Sequence, residues 1–349
     1  MHRIWVFLME TQKKGRHKTA LSIQKFYKVM EMKTVSVVMA TYNGEKFLAE
    51  QIDSILSQSY PVHELIVQDD CSTDGTTDIV RQYMQKYPFV KLFINERNVG
   101  YNENFRRAAM HATGDFVAFS DQDDIWFPQK LERQVAAIGD CDICFSNTLD
   151  GETLESSKPC PDRRFTFETI IWRNQVSGHT MLCRRDFVQC PDYWLGYVYY
   201  DWSLLLHALI VGGVVKVAEP LNFHRRVVYS ATYFPMRAVT WQSYVYGWHA
   251  YRCWQNHPPY HRLYNYLYDK TLNTKHKTVN TMLRLMLRHD FLSLLRLCRL
   301  CMKHRHVTYP TPVKGMKGLL RGFFMPHLTA YQWLRIERYN TQRKANGIC

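Results

Sequence analysis

Between Val35 and Ser146 the chain alternates short apolar runs with longer amphipathic stripes. Val35-Ser-Val-Val-Met-Ala40, Glu64-Leu-Ile-Val-Gln68, Val90-Lys-Leu-Phe-Ile94, Phe116-Val-Ala-Phe119 and the run from Asp142 to Ser146 have the length and content of buried strands. Phe47, Leu48, Gln51, Ile52, Ile55 and Leu56 recur at helical spacing behind Glu45. A second helix runs to Tyr83 behind Thr73 or Asp74, a third spans Asn102 to His111, and a fourth opens at Pro128. Strand and helix in alternation predict a mostly parallel sheet with helices on both faces.

Ligands of such sheets bind beyond the carboxyl ends of the strands. The polar clusters fall at those ends: Thr41-Tyr42-Asn43, Asp69-Asp70, Asn98-Val99-Gly100 and Asp121-Gln122-Asp123. They outline one site, focused on Ser120-Asp121-Gln122-Asp123-Asp124-Ile125-Trp126. Three carboxylates within four positions call for a positive partner, and a divalent metal carrying a diphosphate is the candidate. Taken alone, the turn reads equally well as a solvated loop ahead of the Pro128 helix.

Charge changes the picture of the second half. The formal net charge is +14 over 349 residues, and from Lys270 onward 16 Lys/Arg face only Asp290 and Glu337. The rest of the chain is neutral. A basic tail fits an anionic membrane surface or a nucleic acid. No nucleic-acid motif accompanies it, so nucleic acid is not expected. Ten cysteines are scattered without a secreted-domain framework or a signal peptide, which points to a reducing cytoplasm. Cys141/Cys144 and Cys298/Cys301 lie in an apolar strand and a helical stripe, and read as packing rather than zinc ligands. No uncharged apolar stretch reaches the ~18 residues needed to cross a bilayer.

The motifs, taken together, resemble the family 2 glycosyltransferases. Val37-Val-Met-Ala-Thr-Tyr-Asn-Gly44, Val67-Gln-Asp-Asp-Cys-Ser-Thr-Asp-Gly-Thr76, Asn98-Val-Gly100 and the acidic turn carry the likeness over about residues 34–232. The Asp-Gln-Asp-Asp-Ile-Trp form is similar to the bacterial rhamnosyltransferase-like branch. The resemblance implies the GT-A fold, a Rossmann-like α/β domain. It divides the chain into an extension (1–33), a GT-A domain (34–232, with a nucleotide-sugar half to 147 and an acceptor half from 148) and a mainly helical basic region (233–349).

The resemblance also implies roles. Ala40, Thr41 and Tyr42 line the base and ribose, with Glu45 nearby. Asp69 or Asp70 accepts from the base imide, which fits a UDP- or dTDP-linked donor. Asn98, Gly100 and Asn104 border ribose and diphosphate, Asp121 lies near ribose or sugar, and Asp123 is the ligand of Mg²⁺ or Mn²⁺. Asp201 is the candidate base for the acceptor hydroxyl; an Asp there also reads as an N-cap of the following helix. Trp126 and Trp202 are candidate sugar-stacking rings or core aromatics, and His179 a candidate contact to sugar or phosphate. Relatives place a His-Gly pair after the Arg at 225; here Val227-Val228 stands there. Strand alternation would turn His224 to the opposite face, leaving Arg225 or Arg226 to supply positive charge to the diphosphate.

Beyond about residue 233 the stripes Leu283 to Leu297 and Lys314 to Phe324 mix apolar residues with Arg and Lys. They suit either an anionic membrane interface or packing against the catalytic domain. The expectation is a metal-dependent, inverting transferase. It would move rhamnose or another hexose to a glycan or lipid-linked acceptor at the inner face of the cytoplasmic membrane. The alternative is a lapsed transferase acting as a membrane-associated scaffold. A nucleotidyltransferase is disfavoured, because Ala40-Thr-Tyr-Asn-Gly44 after the first strand is not the Gly-rich, Arg/Lys-bearing loop that would hold a triphosphate.

Overall fold

The structure, a computed structural model, describes residues 32–161, 165–226, 241–308 and 314–345. Two compact units are separated at Thr34/Val35, and Val35–Cys349 forms one of them.

The site-bearing half follows the apolar pattern closely. β1 (Val35–Thr41), β2 (Glu64–Asp69), β3 (Val90–Ile94) and β4 (Phe116–Ser120) pair in the order β3-β2-β1-β4, all parallel. α1 (Glu45–Leu56), α2 (Thr76–Lys86) and α3 (Tyr101–Met110) are the crossovers. Successive strand residues face opposite sides, so one strand feeds two cores. Val35, Val37 and Met39 pack with Leu48, Ile52 and Ile55 of α1 and Val80 of α2. Val38 packs with Phe105, Ala108 and Ala109 of α3. β2 and β3 extend to one side of β1 and β4 to the other, which opens a crevice at the carboxyl ends of β1 and β4.

The second half departs from a simple parallel continuation. The strand expected at Asp142–Ser146 is longer, β6 (Ile143–Gly151), and does not neighbour β4. β8 (Met181–Arg184) lies between them, antiparallel to both. β9 (Val214–Arg225) runs parallel to β6 through two register shifts, and its end pairs with the short β5 (Ile125–Trp126). β7 (Lys158–Pro159) adds to β6, giving a mixed sheet of nine strands among the described residues. β5 and α4 (Lys130–Ala137) are the chain's continuation of the acidic turn. Short helices α5 (Phe167–Ile170) and α6 (Arg185–Val188) precede α7 (Tyr200–Val211), which is buried over most of its circumference.

The basic region is helical throughout its described part: α8 (Trp241–Val245), α9 (Gly247–Gln255), α10 (Pro258–Thr271), α11 (Lys277–Met286), α12 (Phe291–Lys303), α13 (Arg305–Thr308), α14 (Gly315–Phe323) and α15 (Met325–Ala345). Leu283, Leu285, Met286, Leu294 and Leu297 are buried in the same apolar cluster as α7, and Trp254 stacks on Trp172 at 5.9 Å. The apolar stripe of α11 and α12 therefore packs on the protein.

Candidate active site

The loops at the carboxyl ends of β1, β2 and β4 are tied to one another by side chains. Gln122 grips the β1 loop with both ends of its amide: its Oε1 accepts from Tyr42 N at 2.8 Å and its Nε2 donates to Tyr42 O at 3.1 Å. A Cβ at Gly44 would stand 2.2 Å from that Oε1, so the grip requires glycine there. Thr41 Oγ1 donates to Asp69 at 2.8 Å, and Ser72 donates to Asp69 through both N–H and hydroxyl. Asp70 accepts from Asn95 Nδ2, Val99 N and Gly100 N, each at 2.8 Å. Both carboxylates are buried. They are loop anchors first, whatever else they contact. Glu45 likewise accepts from Gly75 N at 2.7 Å, and Asn104 is buried between Gln68 O and Asn95. Asn98 Oδ1 accepts from Gly100 N, where φ is +84° and α3 begins. Ala40 is half-buried and Tyr42 is 48% exposed, at the lip of the crevice.

Beyond β4 the acidic turn meets the second half of the chain. A single 3₁₀ turn, Gly178–Thr180, sits under it and leads into β8. Gly178 is pressed against the Tyr200 hydroxyl, 1.8 Å from where a Cβ would stand. His179, 2% exposed, places Nδ1 2.7 Å from Oδ2 of the fully buried Asp124. Ligand atoms of Asp121, Asp124 and His179 all lie within 4.8 Å of one another. Donors about 2.0–2.6 Å from a shared cation fit that spacing, so two carboxylates and one imidazole could together hold a divalent metal. His179 Nε2 is buried without a hydrogen-bond partner, and the contact of the buried Asp124 Oδ2 is His179 Nδ1 itself, an arrangement a cation could share. Asp123, the ligand expected from the sequence, is not in this group. Its neighbour Asp124 is the residue turned toward His179, and the Asp123 carbonyl accepts from Arg225 Nε instead.

Proton affinities reflect the crowding. Burial, then the charges of Asp124 and Asp121, push the Asp123 carboxyl up to about 7. Burial and the charge of Asp124 also raise Asp121. Burial would raise Asp124, but the adjoining His179 outweighs it and holds Asp124 low. Asp201, at the second position of α7, is pushed up to about 7 by burial and by Asp121, against hydrogen bonds from Trp202 N and Gly178 N. It is not the N-cap of α7. Tyr199 holds that position, and Asp201 Oδ1 accepts from the next residue, Trp202 N, at 2.7 Å.

The structure corrects three further expectations. His224 is not turned away. It stacks on His179 at 4.8 Å between ring centres and lies 3.3 Å from Asp150 Oδ1. Burial lowers its affinity for protons, but Asp150 and Asp124 overcome this and bring it to about 9, so it is a cation beside the acidic turn. β9 ends at Arg225, so a two-residue period could not be carried to position 227. Val227 and Val228 lie outside the described residues. Arg225 is committed elsewhere, to Glu50 at 2.6 Å and over the Phe47 ring, while Arg226 pairs with Asp150. Trp126 and Trp202 are core residues, 1% and 3% exposed, and Trp202 Nε1 donates to Ile170 O. The exposed rings near Asp201 are instead Tyr101 and Tyr199, 39% and 42% exposed and 6.2 Å apart. Asn102 fixes them by bonding Val198 O and Tyr200 N. Their signal in the sequence was position alone: Tyr101 follows Gly100, and Tyr199 stands two residues before Asp201.

The family model described as Glycosyl transferase family 2 matches residues 36–196. The chain is 33% identical over 178 residues to the Escherichia coli UDP-Glc:alpha-D-GlcNAc-diphosphoundecaprenol beta-1,3-glucosyltransferase WfgD, covering 46% of this chain and 67% of that protein. The chain belongs to glycosyl transferase family 2. S. aureus TarS in complex with UDP-GlcNAc shares the fold at TM-score 0.53 and 19% identity, over 90% of this chain and 92% of that one. A mannosyltransferase from Pyrobaculum calidifontis, in complex with GDP-Man and Mn²⁺, aligns at TM-score 0.51 and 18% identity, over 88% of this chain and 87% of that one. These likenesses place the family 2 domain in the GT-A fold and extend into the helical region. The chain spans from 34% to 67% of the length of eight curated relatives it matches.

Proposed function

We propose that this family 2 protein is an inverting, metal-dependent glycosyltransferase. It transfers a hexose from a nucleoside diphosphate to a glycan or lipid-linked acceptor in bacterial surface polysaccharide synthesis. The observation that carries the reading is the convergence of Asp201 on the Asp121–Asp124–His179 group. Asp201, its carboxyl pushed up to about 7, lies within reach of the charges of Asp121 and His179. A divalent cation, when bound, neutralises charge on the departing diphosphate. Asp121, Asp124 and His179 would hold it, and His224 would supply a second positive group to the diphosphate. Asp201 removes the proton of the attacking hydroxyl, and an affinity near the working pH suits that task. Tyr101 and Tyr199 offer flat apolar faces for the acceptor sugar.

UDP is the favoured nucleotide, since both WfgD and TarS are named with UDP-linked sugars; dTDP presents the same imide to Asp69 or Asp70. The acceptor named for WfgD is lipid-linked, which fits work at the inner face of the cytoplasmic membrane. No helix among the described residues is long and apolar enough to cross a membrane. Replacing Asp201 by Asn should leave UDP affinity within twofold and reduce sugar transfer by about 10²–10⁴. Transfer in the wild type should rise with pH through about 7. Undiminished transfer by the Asn variant would remove Asp201 from the reaction. UDP binding without turnover under every acceptor would favour the scaffold alternative.

A further inference from the structure

Lys130 opens α4, six residues after Asp124, and its side chain is fully buried. The ammonium donates to the His179 carbonyl at 2.9 Å and lies 4.8 Å from the centre of the Trp126 ring. One helical turn later Gln134 donates to the Thr180 carbonyl at 2.8 Å. Two consecutive carbonyls of the 3₁₀ turn are thus hung from one face of α4.

Packing alone does not account for a lysine here. Methionine has nearly the same length and volume, would lie against Trp126 equally well, and would avoid burying an amine that makes one hydrogen bond and is attracted by Asp124. Chain connectivity gives a reason for the lysine. Asp121 and Asp124 belong to the same continuous stretch as α4, joined through β5. His179 arrives from a segment more than fifty residues after Asp124, brought to the acidic turn by β8, which pairs with β4, and met there by Asn222 Nδ2 at 2.8 Å from its Nδ1. A tie from α4 to the His179 backbone adds a direct constraint between the two halves of the cation group. We infer that Lys130 is a positioning residue for that group: it fixes the His179 backbone so that the imidazole stands against Asp124. Gln134 is the second point of the same clamp.

This rests on the proposed cation site, and the test separates the two. Mn²⁺ is titrated calorimetrically into the wild type, His179→Ala, Lys130→Met and Gln134→Leu, without nucleotide, and each is melted in EDTA. The wild type should bind Mn²⁺ and His179→Ala should not. Lys130→Met should melt at or above the wild-type temperature in EDTA, yet bind Mn²⁺ at least tenfold more weakly, the usual effect of losing a group that orients a ligand. Gln134→Leu should weaken binding by a smaller factor. A Lys130→Met affinity within twofold of wild type overturns the inference and leaves the cation site standing. Failure of Lys130→Met to fold also counts against it, because it would make the lysine a structural necessity; an unchanged Gln134→Leu affinity would then complete the refutation. No Mn²⁺ binding by the wild type overturns the cation site and the inference together.

Discussion

Asp123 and Asp124 are adjacent, chemically identical and differently employed. Side chains in a turn follow no period, so the string Asp-Gln-Asp-Asp cannot say which carboxylate meets His179. That depends on β8 bringing the 3₁₀ turn beneath Asp124. The outcome for Asp123 is a carboxyl buried among like charges, with affinity near about 7 against an ordinary value of 3.8. The native state then binds more protons than the unfolded chain between those values, so this residue's contribution to stability falls as pH rises through them. Metal-free Asp123→Asn should therefore melt about 2 °C or more above the wild type at pH 8, with the gain fading toward pH 4. Equal melting temperatures at pH 8 would show that Asp123 is not strained. His224 shows the same limit on reading residues singly. Its role was hidden because an alternation rule was carried past the end of β9.

At the scale of elements, β1 to β4 and their crossover helices were legible because each is a short apolar run bounded by polar residues. What stayed hidden was β5 and the place of β8 in the sheet. β5 has two residues and β8 four, too few for any period to show, yet β8 is what separates β6 from β4 and delivers His179. The first strands are also secured by a polar tie that alternation does not reveal. Glu64, buried at the start of β2, accepts from Ser36 Oγ, Lys91 Nζ and both N–H and hydroxyl of Thr113. Burial alone would raise its affinity for protons, but these donors prevail and bring it from 4.5 to about 2. The stability it adds is present above pH 4.5 and is lost as pH falls toward 2. Glu64→Gln should cost about 1–3 kcal/mol at pH 7, with the deficit shrinking below pH 4.5. A deficit independent of pH would assign the loss to packing instead.

For the whole molecule, the basic region resolves into two faces. The leucine stripe of α11 and α12 is spent on internal packing, so the membrane proposal rests on what remains outside. Leu292, Arg296, Arg299 and Lys303 share the exposed face of α12, Phe291 and Leu292 are 64% and 62% exposed, and α14 presents Met316, Lys317 and Leu320. Between Arg288 and Phe324 the only carboxylate is Asp290. Such a surface should bind anionic vesicles more tightly than zwitterionic ones and release in high salt. Serine at both Phe291 and Leu292 should weaken binding about tenfold without changing UDP affinity; equal binding to both vesicle types would exclude a lipid role for this face. The central claim concerns the crevice itself. It is tested most directly by titrating UDP into the wild type, Asp124→Asn and His179→Ala, with and without Mn²⁺. The account predicts that Mn²⁺ strengthens UDP binding in the wild type at least tenfold and does nothing in either variant. UDP binding that ignores Mn²⁺ in the wild type, or a Mn²⁺ effect that survives in both variants, would contradict it.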